Sequence, residues 1–67
     1  MIARNIRRIR QEKGLSQWQL SQAVGITPGA MLMIEHGARK CTGELIKAIA
    51  NALGVSEADI RGSDIRR

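Results

Sequence analysis

The sequence predicts an all-α fold, a compact five-helix domain with a central helix-turn-helix, and three observations predict it. Glycines stand at the ends of apolar-periodic segments, at Gly14, Gly25, Gly37 and Gly54. Ser or Thr stands at segment starts, at Ser16, Thr27, Thr42 and Ser56. Between them the apolar residues recur at helical spacing. Caps, stops and periodicity agree, as they do when a sequence specifies one structure. A chain of 67 residues holds at most one core, so residues 1–67 are expected to form a single domain.

The first helix is predicted from about Ile2 to Lys13. Ile2, Ile6 and Ile9 share a face, and Arg4, Arg7 and Arg8 fall largely away from it. Gly14 stops the helix, because glycine takes a positive φ at low cost. Ser16 caps the second helix, Gln19 completes a capping box, and Leu15 staples against Leu20. Gly25 ends it. Thr27 caps the third helix and Pro28 takes its first position, where a missing N–H costs nothing. Ile26 and Met31 repeat the staple, and Gly37 ends the helix. Thr42 caps the fourth helix, with Leu45, Ile49 and Leu53 on one side and Gly54 at its end. Ser56 caps the fifth, with Asp59 near the dipole-positive end and Val55 against Ile60. Past Ile60 the signal weakens, and residues 61–67 are expected as a loose tail.

The central stretch, SQWQLSQAVGITPGAMLMIEHG, covers about residues 16–37. It reads as two short helices joined by a tight glycine turn. This helix-turn-helix layout places its second helix in the DNA major groove. Leu20, Val24, Ile26, Met31 and Ile34 are its apolar set. Ser21 is small where the two helices cross, and a larger side chain there pushes them apart.

Eleven Lys and Arg against six Asp and Glu give a net charge of +5. In so small a domain this balance favours an anionic partner, most often nucleic acid; a well-solvated surface is the plainer reading of the same charge. A single Cys excludes an internal disulfide and a multi-Cys zinc site. No segment approaches the ~18 apolar residues of a membrane span. The start, MIARNIRRIR, is basic but lacks the apolar stretch of a signal peptide. A cytoplasmic protein is expected, with no membrane partner and no small-molecule ligand. His36 and Cys41 lie near a helix end with no supporting base, and there is no glycine-rich phosphate loop. Neither an enzyme nor a cofactor nor a metal site is expected. His36 reads as a helix-end cation or a neutral surface group, and Cys41 as a small apolar residue at a loop–helix junction.

In combination the motifs resemble the phage repressor and Cro family, the Xre-like regulators with the lambda repressor-like fold. The matching string is RRIRQEKGLSQWQLSQAVGITPGAMLMIEHG followed by LIKAIANALGVS, within about residues 2–60. The resemblance implies a DNA-binding transcriptional regulator of the repressor kind, a homodimer on a two-fold site in double-stranded DNA. It implies that Gln17 contacts a phosphate beside the N–H groups of the second helix. Ser16 and Thr27, at the two helix starts, are placed with it on the DNA side. The family's base readers map to Pro28, Gly29, Leu32 and Met33. Arg39 and Lys40, in the loop after the third helix, map to a second backbone clamp. Arg10 and Glu35 map to a buried ion pair that ties the first helix to the third.

The chain departs from that family where it matters most. Pro28, Gly29, Leu32 and Met33 carry no polar head, where the family often has Ser, Arg, Gln or Thr. Most direct hydrogen-bond reading of bases is removed. It also has Cys41 where the family often has Pro. Met31 and Ile34 fill the inward positions, so Leu32 and Met33 are expected to point elsewhere. Exposed, they suit thymine methyls or form a protein-docking patch. DNA is favoured, because Gln17, Arg39 and Lys40 stand where phosphates are expected. Trp18, the one aromatic, either lies over the DNA backbone or packs partly buried on the first helix. Dimerisation is expected through the C-terminal segment, with Ile60 or Ile65 contributing.

Overall fold

Residues 2–62 are described by a computed structural model, in which five helices follow one another. They are α1 (Ile2–Glu12), α2 (Gln17–Val24), α3 (Pro28–Glu35), α4 (Gly43–Leu53) and α5 (Glu57–Arg61). Each of the last four begins on a side-chain cap. Ser16 Oγ accepts the Gln19 N–H at 3.0 Å, and Gln19 Oε1 accepts the Ser16 N–H at 2.8 Å. Thr27 Oγ1 accepts the Ala30 N–H at 3.1 Å, and Thr42 Oγ1 accepts the Leu45 N–H at 3.3 Å. Ser56 and Asp59 repeat the reciprocal box at the start of α5. Each cap satisfies an N–H that the first turn leaves without an intrahelical partner.

The turn between α2 and α3 depends on Gly25, at φ +89°, whose N–H bonds back to the Ser21 carbonyl. A side chain at that φ is strained. α2 packs on α3 and α4, while α1 packs on α3, α4 and α5. Ser21 is fully buried, and its hydroxyl donates to the Trp18 carbonyl at 2.7 Å, so its polarity is satisfied. The core is Ile6, Ile9, Leu20, Met31, Ile34, Ile46, Ile49, Ala50, Leu53 and Ile60. Val24 and Ile26 are only half-buried at its edge.

The structure corrects three expectations. The inward face of α4 is Ile46, Ile49, Ala50 and Leu53, and Leu45 is half-buried beside it. Leu45 and Ile46 are adjacent and both apolar, so spacing alone leaves the phase of this face open. The end of α5 lies later than the loose tail expected from residue 61. Arg61 is helical, and Gly62 caps the helix at φ +67°. Asn5 in α1 donates to the Ile60 carbonyl at 2.9 Å and ties this end down.

The third correction concerns Ile60 as a dimer contact. It is fully buried between α1, α4 and α5 and has no surface for a second chain. Ile65 lies outside the described residues. Among the described residues no helix is long and apolar enough to cross a membrane.

Candidate nucleic-acid interface

α3 divides its side chains between core and solvent. Met31, Ile34 and Glu35 turn inward. Leu32 and Met33 turn outward, 45% and 48% exposed, and Pro28 and Gly29 are exposed at the helix start. Thr27 is exposed too, while its hydroxyl caps the helix. With Met31 and Ile34 buried, the intervening pair has no route inward, since neighbouring helical positions are separated by about 100°.

Ser16, Gln17 and Trp18 stand at the start of α2. Ser16 is exposed, Gln17 half-buried and Trp18 60% exposed. Trp18 is therefore largely a surface side chain. Arg39 and Lys40 are exposed in the loop that joins α3 to α4. They also edge an open groove of about 320 Å³ whose floor is Val24, Ile26, Ile34, Leu45 and Ala48.

Beneath this face lies a charged cluster. Arg10 Nε donates to Glu35 Oε2 at 2.7 Å, and Arg10 Nη2 donates to Glu35 Oε1 at 3.1 Å. The Glu35 side chain is fully buried and that of Arg10 nearly so. Burying two charges costs several kcal/mol each, and a two-pronged contact of this geometry offsets that cost. Arg10 Nη1 also donates to the Leu15 carbonyl at 2.7 Å, just ahead of α2. Gln17 Nε2 donates to Glu35 Oε1 at 3.0 Å. No sequence signal marks these last two bonds. Gln17 and Glu35 are eighteen positions apart, and only the crossing of α2 over α3 brings them together.

Cys41 is half-buried where the loop enters α4. Burial pushes its thiol above the ordinary value, against the opposing pull of Arg61. The thiol is accordingly protonated and weakly reactive at neutral pH. Among the described residues no group of His, Cys, Asp and Glu is arranged to hold a metal. The arrangement offers no nucleophile–base pair. It offers an exposed apolar pair on α3, a half-buried amide at the start of α2 and two exposed cations in the loop after α3.

The model of a helix-turn-helix family, HTH_3, matches residues 6–60. The chain is 34% identical over 64 residues to the antitoxin PezA of Streptococcus pneumoniae, covering 96% of this chain and 40% of that protein. It is 32% identical over 60 residues to y4dJ of Sinorhizobium fredii, an uncharacterized HTH-type transcriptional regulator, covering 90% of this chain and 78% of that one. Two crystal structures of the clp gene regulator ClgR from Corynebacterium glutamicum share the fold. One superposes with a TM-score of 0.86 at 30% identity, covering 90% of this chain and 64% of that chain. The other gives 0.84 at 27% identity, covering 98% and 91%. The chain thus spans well under two thirds of the PezA sequence and just under two thirds of the first ClgR chain. With the family model covering most of its length, the chain belongs to the Xre-like helix-turn-helix family.

Proposed function

We propose that the chain binds double-stranded DNA as a homodimeric repressor and reads it through an apolar recognition helix. The observation that carries this is the outward pair Leu32 and Met33 on α3, in one chain segment with exposed Arg39 and Lys40. Gln17, Trp18 and the N–H groups of α2 engage phosphate on one side. Arg39 and Lys40 engage it on the other. A net charge of +5 favours that contact. These backbone contacts supply most of the affinity. Specificity comes from Leu32 and Met33 on thymine methyls, and from DNA shape around Pro28 and Gly29.

The test is selection of bound duplexes from a random pool, followed by affinity measurement over a range of salt. A selected site and a steep fall of affinity with salt support the reading. Failure to retain any duplex at low salt rejects it.

A second reading has a specific observation behind it. Two large apolar side chains about half exposed on one helix also suit a protein partner. Likeness to an antitoxin points the same way. On that reading Leu32 and Met33 dock a partner protein. Alanine at both then abolishes the protein contact and spares DNA binding.

A further inference from the structure

Glu35 accepts three hydrogen bonds from two helices. Arg10 supplies two of them, from Nε and Nη2, and Gln17 Nε2 supplies the third, on the same Oε1 that Arg10 Nη2 uses. A carboxylate only accepts, so it selects which end of the Gln17 amide faces it. One Gln17 N–H is thereby used, and the second N–H is left for another acceptor. Arg10 also holds the Leu15 carbonyl, immediately before the cap of α2. The backbone just ahead of α2 and the first side chain of α2 are thus held by one cluster. That same cluster is rooted at the last residue of α3.

We infer that Glu35, braced by Arg10, is a positioning residue for DNA binding: it aims the Gln17 amide at phosphate and fixes the start of α2 relative to the reading face of α3. This rests on the reading of Gln17 as a phosphate contact. Glutamine is among the side chains that lose most freedom when ordered. Glu35 orders it before DNA arrives, and preorganisation of this kind raises affinity without a further bond to the DNA. The ion pair therefore does more than hold α1 against α3.

A double-mutant cycle separates the two claims. The probe is a random-sequence DNA duplex, because phosphate contacts act on every sequence. In the native background Gln17→Ala weakens binding about tenfold, the size of one hydrogen bond to a charged group. In an Arg10→Met/Glu35→Met background the same substitution changes binding by less than about twofold, because the unbraced amide no longer contributes. Equal weakening in both backgrounds overturns the positioning role and leaves Gln17 a phosphate contact. No weakening in the native background overturns both. A second measurement needs no variant and stands if the methionine pair does not fold. Nuclear relaxation of side-chain amides in the free native chain should find Gln17 ordered and the exposed Gln22 mobile. Equal mobility of the two overturns the positioning role.

Discussion

Arg10 shows how a single side chain carries more than its charge. It joins Glu35 through two bonds and the Leu15 carbonyl through a third. Replacing it with Ala leaves the buried Glu35 without its cation and with only the Gln17 bond, which costs about 3–5 kcal/mol and should leave the domain largely unfolded in chemical denaturation. Arg10→Met with Glu35→Met removes both charges and should retain most of the stability, since an apolar pair of similar volume often replaces a buried ion pair without penalty. At Leu32 and Met33 the expectation is reversed. Each alanine substitution should shift the denaturation midpoint little, because both side chains stand about half in solvent. Each should weaken binding to the selected site by about 1 kcal/mol, near the transfer value of the apolar groups removed. Binding to random duplex should hardly change. Cys41 gives a pH expectation. Its folded thiol is raised, so the stability it contributes is present below the unfolded thiol value and is lost as pH rises through the folded one. Alkylation of the native chain at pH 8 should accordingly be slower than that of the urea-unfolded chain.

Elements, by contrast, stand on their ends. Thr27→Ala removes the acceptor for the Ala30 N–H and should cost about 1 kcal/mol. In a domain of this size that lowers the thermal midpoint by about 4–8 °C. The loop after α3 is a phosphate clamp in the proposed function. Arg39→Ala with Lys40→Ala should weaken binding to all sequences alike and reduce the salt slope by about 0.9 for each phosphate no longer neutralised. An unchanged slope removes the loop from the interface. These ends are also the part of the fold most legible in the sequence. Ser16 with Gln19, Thr27 with Pro28, and Gly25 announce their roles within a few residues, because caps and turns are local chemistry. What stayed hidden depends on tertiary packing. Ile46 rather than Leu45 faces inward because of what packs on α4. Ile60, read as a candidate dimer contact, is buried in the core where α5 meets α1 and α4. The outward placing of Leu32 and Met33 followed from Met31 and Ile34, since a helix cannot bury all four. The bond from Gln17 to Glu35 had no local sign, because only the crossing of two helices creates it.

At the scale of the whole molecule, the proposed function gives affinity and specificity separate sources. Phosphate contacts release counterions and so depend on salt, while apolar contact with thymine methyls does not. A single small domain also touches little DNA, so the selected site should be a two-fold repeat with half-sites about one helical turn apart. Sedimentation of the complex should find two chains on such a site, and one chain per site would reject the homodimer. With Ile60 in the core, a homodimer of this chain would pair through other residues. The most direct test of apolar reading is the affinity of the native chain, across a range of salt, for its selected site and for the same duplex with uracil in place of thymine. Uracil lacks only the methyl. Two steep parallel lines of log affinity against log salt are expected, the uracil line lower by about 0.8 kcal/mol for each methyl touched. Coincident lines would contradict reading through Leu32 and Met33, and flat lines would contradict the phosphate clamp.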